Sequence, residues 1–595
     1  MWSWFLARLA GIFNFFASII IFLVIVALIS GLIGAFAGPD RSVPKLAVLE
    51  LDFRTNVVDS RSENPFADEG PSVINIVAAL AKAENDDRVK GALLRIGGGS
   101  IAGAHVEEIR DAIRSFKAKK KFVVVFAQAF YSNGIGEYWL ASSADEIWLQ
   151  PVSELGTAGI ASQTMFFKNL LDKIEAKAEI GQRYEYKNAG APYLADDYTP
   201  AHREATQRLL KSIFDNATTA IAADRKMSTE EYVALVNSGP HLTQAALDAK
   251  LIDKQGYDDE AKEAALSKAG KDAKLIKYSD YLEKAGHPWF KDEMGGGTSS
   301  IALITGEGGI QDGKSEDGGF GGSRSIGGDT VAKAFRDATE DKNIKVILFR
   351  VNSPGGSALA SDQILQAVRK AQKAGKKVVV SMGNVAASGG YYVSLSADKI
   401  YASPSTITGS IGVLSGKLVL GKTYELLGIN VRELHEGTNA LINSDVQGFT
   451  PEQRAKLDAS LDAIYNDFTA KVAEGRKMAL EKIRDVAKGR VWTGADAKER
   501  GLVDELGGFR QALDEAKKLA GVAEKDSVTL KRFPRVKTPA EAISEAFGTS
   551  TSVVRTLALM AEILDTPAVR DALLQLRDES RAQGAQLKAQ PQKVE

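Results

Sequence analysis

A serine on a glycine-rich corner is the residue of this chain whose surroundings best suit nucleophilic chemistry. Ser388 lies in AASGG, residues 386–390, after an apolar strand-like run and before SLSADKI. The flanking alanine and glycines leave the hydroxyl open to approach, as at a nucleophile elbow, although the motif is not G-x-S-x-G. The N–H of Gly389 follows directly and could donate to an oxyanion. From the local motif alone, a simple turn serine is an equally good interpretation.

Two further glycine-rich segments suggest oxyanion or phosphate binding. SPGGS, residues 353–357, ends a predicted strand and opens a predicted helix, so the Gly355 N–H could point at an oxyanion. Pro-Gly-Gly equally favours a tight turn with no catalytic role. GGIQDGKS, residues 308–315, satisfies the phosphate-loop pattern, but the following EDGGFGGSRSIGG is too rich in glycine to form the helix that this motif requires. We interpret the match as accidental and expect no nucleotide hydrolysis.

The usual partners of a nucleophilic serine or of a metal ion are scarce. The 595 residues include no cysteine and five histidines, none of them at a metal-ligand spacing, which argues against a zinc enzyme. We expect no metal and no cofactor. With 75 basic and 76 acidic residues the net charge is −1, which also argues against a nucleic-acid partner. The histidines are His105, His202, His241, His287 and His435.

An internal duplication organises most of the chain. YSNGIGEYWLASSADEIWLQPVSELGTAGI, from Tyr131, aligns without a gap with NVAASGGYYVSLSADKIYASPSTITGSIGV, from Asn384, at an offset of 253 residues. Two copies of one domain account for residues 46–275 and 300–522. Ile135 of the first copy falls on the position of Ser388, so only the second copy carries the candidate nucleophile.

Each copy alternates strand-like and helix-like segments, which predicts an α/β fold with crossover helices between parallel strands. In the second copy, residues 357–375 have the periodicity of an amphipathic helix. The glycine-rich, polar segments 286–299 and 311–329 are expected to be a linker and a mobile loop. The predicted strands of the second copy are residues 301–305, 345–351 and 376–383.

The two ends of the chain predict helices outside the duplication. Residues 15–36, FFASIIIFLVIVALISGLIGAF, would form a helix of about 33 Å, enough to cross a hydrocarbon core of roughly 30 Å. Because signal-peptide apolar regions run about 7–15 residues, we interpret residues 1–38 as a transmembrane anchor rather than a cleaved signal peptide, with the bulk of the chain outside the cytoplasm. Residues 523–595 are predicted to form a helical tail that serves as a docking surface or, less favoured, contacts the membrane.

Three motifs resemble a known family. RVNSPGGSALAS, SMGNVAASGGYYVSLSADKIYASPSTITGSIGV and VWTGADAKERGLVDELGG are similar to the signal peptide peptidase A family in its long, duplicated, membrane-anchored form. The resemblance extends from the anchor to about residue 525. It implies two tandem domains of the Clp protease/crotonase fold and a serine endopeptidase that degrades cleaved signal peptides. It also implies a homotetramer at the inner membrane, with its catalytic domain on the periplasmic or extracytoplasmic side.

On the same resemblance, the active site is a Ser/Lys dyad. Ser388 is the nucleophile, and the general base is Lys187, in GQRYEYKNAGAPYLADDYTP of the first copy. The second copy has no lysine between Lys422 and Lys456, the region that corresponds to Lys187, so one site is expected between the copies. A lysine base needs a pKa below its usual value of about 10.4, which burial can provide, and it needs no histidine. Ser410, in GSIG, is a candidate to hydrogen-bond the amine.

Two other functions remain open on the sequence. An acyl-CoA-processing enzyme of the crotonase type would use paired amides without Ser388, but no glycine-rich loop suggests an adenine or pantetheine site. A non-catalytic membrane scaffold would leave Ser388 unreactive. The favoured substrates are apolar peptides, with small or apolar residues at the cleaved bond.

Overall fold

The computed structural model describes residues 42–60, 70–131, 135–290, 300–318, 323–523, 526 and 528–535. The predicted anchor, residues 1–38, and all but the start of the predicted helical tail lie outside these residues. Within the described ranges, no helix is both long and apolar enough to span a membrane. Both copies of the duplication belong to one compact unit, residues 43–534.

The first copy alternates strands and helices along the chain. Its longest helix, α6, begins at Thr199-Pro200, where the threonine hydroxyl accepts from the His202 N–H at 3.2 Å and proline occupies the first turn. The elements are β1 (Ala47–Asp52), α1 (Val73–Ala83), β2 (Val89–Ile96), α2 (Gly103–Ala118), β3 (Phe122–Ala127), α3 (Gly136–Ala141), β4 (Glu146–Leu149), β5 (Glu154–Leu155), α4 (Lys168–Lys173), β6 (Lys177–Arg183), a 3-10 turn (Asn188–Gly190), α5 (Ala191–Leu194), α6 (Pro200–Arg225), α7 (Thr229–Ser238), β7 (His241–Leu242), α8 (Thr243–Asp248), β8 (Lys254–Gln255), α9 (Asp258–Ala269), β9 (Lys274–Lys277) and α10 (Tyr278–Ala285).

The second copy also alternates strands and helices, and its long helix α15 begins in the same way as α6, at Thr450-Pro451. The elements are β10 (Ile301–Glu307), β11 (Gly309–Gln311), β12 (Glu316–Asp317), β13 (Arg324–Gly327), α11 (Gly328–Glu340), β14 (Val346–Ser353), α12 (Ala358–Lys373), β15 (Lys377–Ala387), α13 (Gly389–Tyr392), β16 (Lys399–Ala402), β17 (Ile407–Gly409), β18 (Val413–Val419), α14 (Gly421–Leu426), α15 (Pro451–Arg476), α16 (Leu480–Val486), β19 (Val491–Thr493), α17 (Gly494–Glu499), β20 (Glu505–Leu506), α18 (Phe509–Ala520) and β21 (Leu530–Phe533).

Each copy is built on a mainly parallel sheet. The first sheet has the strand order β8-β4-β3-β2-β1-β9, and the second has the order β19-β17-β15-β14-β10-β21, with β16 pairing with both β15 and β20. The β17–β19 pair is antiparallel. Strands such as β14, VILFRVNS, are apolar along most of their length because helices cover both faces of the sheet. The predicted α/β fold of the two copies is confirmed.

One apolar core joins the two copies. Helices α1 and α2 of the first copy share this core with α18 and one face of the second sheet, represented by Ile113, Phe509 and Leu303. Helix α9 covers the opposite face of the first sheet, and α11 and α12 cover the opposite face of the second. Because the copies bury apolar surface against each other, residues from both can meet in one fixed geometry.

A buried ion cluster crosses the same interface. The Arg350 guanidinium of β14 donates to Asp59 Oδ2 at 3.0 Å and to Glu108 Oε1 at 2.8 Å, both carboxylates of the first copy. Burial by itself would raise the pKa of Asp59, but the Arg350 charge and hydrogen bonds from His105 and Arg350 hold it well below its ordinary value. A buried arginine with two carboxylates is stable only as a complete set.

Two segments differ from the sequence-based expectation. Residues 311–329, expected to be a mobile loop, contribute β12 and β13 to a three-stranded sheet with β11. Glycines allow these backbones to approach closely: a Cβ added to Gly308 would lie 2.0 Å from the Arg324 carbonyl oxygen.

The second difference is at the start of the expected helical tail. Residues 530–533 form β21, which pairs in parallel with β10 as β9 pairs with β1. The run LKRF lacks an apolar pattern because β21 is an edge strand that is held by backbone hydrogen bonds. The second copy therefore extends beyond residue 522.

Candidate active site

Strands β15 and β17 place two serines side by side. Their parallel register pairs Ala387 with Gly409, so Ser388 and Ser410 emerge together from neighbouring strand ends. The Ser388 N–H donates to the Gly409 carbonyl at 2.8 Å. Ser388 has φ 55° and ψ −116°, a conformation that non-glycine residues rarely adopt and that turns the chain sharply into α13. Strained corners of this kind cluster at functional sites.

An antiparallel ribbon between the copies brings Lys187 to these serines. Strand β6 of the first copy pairs along its length with β18 of the second, with Arg183 opposite Val413. The end of β6 therefore meets the start of β18, which follows Ser410 closely. The Arg183 guanidinium also donates to the Asp458 carbonyl of α15 at 3.0 Å, which ties the ribbon to the second copy.

The three side chains meet in a single cluster. Lys187 Nζ lies 2.9 Å from Ser388 Oγ and 3.0 Å from both the carbonyl oxygen and Oγ of Ser410. Lys187 is 6% exposed, and burial lowers its pKa to about 8. A neutral amine has two N–H groups and one lone pair. When the N–H groups donate to the two Ser410 oxygens, the lone pair faces the Ser388 hydroxyl, as a general base requires.

The glycine corner at residues 355–356 lies against Ser388. A Cβ added to Gly355 would lie 2.7 Å from both the Gly389 nitrogen and the Ser388 Cβ. The Gly355 N–H, expected from the sequence to face an oxyanion, donates to Ser353 Oγ at 3.1 Å. The next amide, Gly356, lies 3.2 Å from a Cβ added to Gly389.

Two amides beside Ser388 are thus free to bind an oxyanion. Among the described residues, the N–H groups of Gly356 and Gly389 donate to no protein acceptor. The sequence contains the signal that distinguishes Gly356 from Gly355, because a serine side chain often accepts from the amide two residues later, as Ser353 does here.

Strand β11 supports the glycine corner. The Ile310 N–H donates to the Gly355 carbonyl at 2.8 Å, and the Ser357 N–H donates to the Ile310 carbonyl at 2.8 Å. The Ser357 hydroxyl donates to Asp312 Oδ1 at 2.6 Å. The segment GGIQDGKS therefore forms a strand and a turn that brace the corner, and it does not lead from a strand into a helix as a phosphate loop would.

Comparison with known proteins identifies the family. The profile of peptidase family S49 matches residues 115–272 and 370–523, one region in each copy. The chain belongs to peptidase family S49. It is 35% identical to Protease 4 of Salmonella typhi over 76% of this chain and 72% of the relative. It is 31% identical to the chloroplastic serine protease SPPA of Arabidopsis thaliana over 90% of this chain and 78% of the relative.

A third relative agrees with this assignment, and a match to a solved structure adds nothing to it. The S49 chain is 32% identical to Protease 4 of Haemophilus influenzae over 77% of its length and 74% of the relative. A solved ClpP1 mutant from Listeria monocytogenes is 17% identical, with a TM-score of 0.24 over 36% of this chain and 94% of its own. The family and the curated relatives make this chain a serine protease of the signal peptide peptidase type.

The corresponding corner of the first copy of this S49 peptidase lacks a nucleophile. Ile135, 2% exposed, precedes α3 as Ser388 precedes α13. In the described part of the chain, no group of three or more acidic or histidine side chains could hold a metal ion. The residue beside Ser388 is Lys187, while His435, the histidine nearest in sequence, is exposed.

Proposed function

We propose that this S49 peptidase is a membrane-anchored endopeptidase that hydrolyses apolar peptides, including cleaved signal peptides, with Ser388 as nucleophile and Lys187 as general base. The observation that carries the proposal is the 2.9 Å contact between Lys187 Nζ and Ser388 Oγ. It is supported by the burial of Lys187, which favours the neutral amine that a base requires.

Acylation begins with proton transfer from the Ser388 hydroxyl to the Lys187 amine. The serine oxygen attacks the carbonyl carbon of the scissile bond, and a tetrahedral oxyanion forms. The N–H groups of Gly356 and Gly389 donate to this oxyanion; the Gly356 nitrogen lies 3.2 Å from a Cβ added to Gly389. The Lys187 ammonium then gives its proton to the leaving amine, and the acyl chain remains on Ser388.

Deacylation reverses the roles with water as the nucleophile. The neutral Lys187 amine takes a proton from water, which attacks the acyl ester, and the same two amides bind the second oxyanion. The proton then returns to the Ser388 oxygen as the peptide acid leaves. Through both steps the two Ser410 oxygens, each 3.0 Å from Nζ, keep the amine directed at Ser388.

The apolar run near the start of the chain and the family support the proposed substrate class and location. The apolar run at residues 15–36 would anchor the enzyme in the membrane, with the catalytic domains on the extracytoplasmic side. Signal peptides released into the membrane are apolar helices of the kind such an enzyme would meet. Relatives named Protease 4 and serine protease SPPA support peptide hydrolysis by a serine.

We also propose that the chain assembles as a homotetramer. Helix α4 of the first copy and the segment that follows β18 expose several large apolar side chains, and the Thr423 hydroxyl of this segment donates to the Ile174 carbonyl at the end of α4 at 2.7 Å. A second copy of the chain could cover them. These residues are Leu170, Leu426, Leu427, Ile429 and Leu434, which are 54%, 59%, 69%, 49% and 98% exposed. Light scattering on the detergent-solubilised chain tests the assembly.

The dyad is tested with the full chain in detergent, a fluorogenic apolar peptide and a serine-directed fluorophosphonate. We expect Ser388→Ala and Lys187→Met to lose at least a thousandfold in kcat and to lose labelling. Each variant should still unfold cooperatively on heating, which shows that it is folded. Matched controls are the exposed Ser415→Ala and Lys422→Met, which should keep wild-type activity.

Three results would contradict the proposal. An active Lys187→Met means that the base lies elsewhere. An active Ser388→Ala means that Ser388 is not the nucleophile. A folded wild type that neither cleaves nor labels favours the acyl-CoA or scaffold alternative.

A further inference from the structure

Three consecutive residues of the second copy contact both the backbone segment that carries Lys187 and Ser410, one of the partners of its amine. We propose that Lys488, Gly489 and Arg490, here called the template loop, act as positioning residues that hold the Lys187 backbone and Ser410 at a fixed separation. The inference rests on the proposed role of Lys187 as the general base. It assigns to the loop between α16 and β19 a function that its sequence, KGR, does not suggest.

On one side the template loop holds the segment that carries Lys187. The N–H groups of Tyr184 and Tyr186 both donate to the Lys488 carbonyl at 3.1 Å. The Lys187 N–H donates back to the Tyr184 carbonyl at 3.1 Å, which closes a tight turn around the same point. The Tyr186 ring also lies 4.8 Å from the Arg490 guanidinium, as a cation–π contact. The first copy therefore presents its lysine from a backbone that the second copy holds.

On the other side the template loop holds Ser410. The Ser410 N–H donates to the Arg490 carbonyl at 2.6 Å, and the Gly489 N–H donates to the Ile411 carbonyl at 2.8 Å. Ser410 is the residue whose two oxygens contact Lys187 Nζ. One short loop thus fixes both the backbone of Lys187 and Ser410, the residue that orients the Lys187 amine.

Gly489 is the point of closest approach. Its φ is +81°, and an added Cβ would lie 2.5 Å from Lys187 Cβ and 2.6 Å from both Lys187 Cα and Lys187 N. Real Cβ atoms do not come so near to backbone, so any side chain here must displace Lys187. Glycine is therefore required at this position by the location of the lysine, as well as by the backbone conformation.

Tyr465 of α15 anchors the template loop to the body of the second copy. Its Oη accepts from the Lys488 N–H at 3.3 Å, and its ring meets the Tyr184 ring edge-on with centroids 4.8 Å apart. Tyr465 is 2% exposed. Removing the hydroxyl would leave the Lys488 amide without an acceptor while the ring stays in place. This disturbs the template loop less than a side chain at Gly489 would.

The charged groups around Lys187 are paired with one another and do not contact Nζ. In its own segment, Glu185 faces Lys488 Nζ at 3.6 Å, and Arg183 of β6 pairs with Asp458 and Asp462 of α15. Arg490 of the template loop pairs with Glu204 of α6 at 2.6 Å. Variants at Gly489 and Tyr465 keep all of these charges. A change in the titration of Lys187 in such variants therefore reports its position.

The experiment compares pH profiles of kcat/KM for the full chain carrying Gly489→Ala or Tyr465→Phe. The matched control is Gly521→Ala, a glycine with φ +75° and open space around its Cβ position. We expect Gly489→Ala to lose at least a hundredfold in kcat/KM and to move the rise of activity with pH upward by about one pH unit or more, because a displaced Lys187 regains water and its pKa moves back toward the ordinary value. We expect Tyr465→Phe to lose a few-fold and to move the rise in the same direction, and Gly521→Ala to do neither.

The outcomes separate this inference from the proposed function. If either folded variant raises the midpoint of the pH profile and the control does not, the template loop positions Lys187. If no folded variant raises it while the wild type retains activity that depends on Lys187, the loop has only a structural role and the inference is overturned. A wild type without Lys187-dependent activity overturns the proposed function, and this inference with it. If Gly489→Ala does not fold, the Tyr465→Phe profile decides.

Discussion

Lys187 and Ser388 are separated by 201 positions in the sequence, yet their Nζ and Oγ atoms lie 2.9 Å apart. Each residue belongs to a different copy of the duplication, and the copy that carries one lacks the other. The contact depends on the β6–β18 ribbon and on the core that both copies share. The stability of this interface and the proposed catalysis are therefore coupled.

The activity of the wild type is expected to rise with pH. Burial lowers the pKa of Lys187 to about 8, so below that pH the amine is protonated and has no lone pair for the Ser388 proton. We expect kcat/KM to fall about tenfold per pH unit below the midpoint and to level off above it. Initial rates between pH 6 and 10 measure this. A profile that is already flat at pH 6 contradicts the assignment of Lys187 as the base.

Lys187→Met is expected to stabilise the fold while it abolishes activity. The folded pKa of about 8 is below the unfolded value of 10.5, so below pH 8 the folded wild type must bury a charge. This cost is about 3 kcal/mol, is fully present below pH 8 and is lost as the pH rises toward 10.5. Urea unfolding at pH 7 and pH 10 should show the advantage of Lys187→Met shrinking at the higher pH. An equal advantage at both would mean that packing, and not charge burial, is responsible.

Ser410→Ala is expected to reduce turnover without preventing binding. The variant keeps the carbonyl that accepts from Lys187 Nζ but loses the hydroxyl oxygen 3.0 Å away, so the lone pair is less well directed at Ser388. We expect kcat to fall by about tenfold to a hundredfold with KM little changed. Steady-state kinetics and the rate of fluorophosphonate labelling should fall together. A wild-type kcat would show that the carbonyl alone orients the amine.

Arg350 and Arg95, which occupy equivalent positions in the two copies, provide a matched pair for stability. Arg350→Gln leaves Asp59 and Glu108 buried without their cation, and we expect a loss of about 3–5 kcal/mol. Arg95→Gln leaves Glu50 and Asp258, whose side chains are 19% and 43% exposed and can both be hydrated, so we expect a smaller loss. Denaturant unfolding of both variants tests the difference. Equal losses would show that the cross-copy cluster has no special role.

Glu107→Gln is expected to stabilise the interface near neutral pH. The Glu107 carboxyl accepts from the Ser405 N–H at 2.9 Å and contacts its hydroxyl at 2.8 Å, and burial raises the pKa of Glu107 to about 8. Its stabilising contribution is present below pH 4.5 and is lost as the pH rises through 8. Glutamine stays neutral, so the gain in stability of Glu107→Gln over the wild type should grow as the pH rises from 4.5 to 8. Thermal unfolding at pH 5 and pH 8 measures it, and a constant difference would contradict the raised pKa.

Much of the fold could be predicted from the sequence because its signals are local. Continuous apolar runs such as KVILFRV predict strands buried on both faces, and the gapless repeat of the ADEI and ADKI segments shows the duplication directly. The strand at 530–533 and the small sheet in residues 311–329 were missed because edge and glycine-rich strands depend on backbone pairing with distant segments. Their own side chains carry little information about that pairing.

The candidate site divides in the same way. The sequence by itself determined that Ser388 sits on an open glycine-rich corner, that the first copy has isoleucine there, and, through a family resemblance, that Lys187 is the residue to pair with it. Only the tertiary structure decided that the Gly355 amide is occupied by Ser353, that Gly356 is free, and that a loop at Gly489 braces the lysine. The physical reason is that hydrogen-bond partners and pKa values depend on distances of a few ångströms between segments far apart in the chain, and these exist only once the copies have packed together.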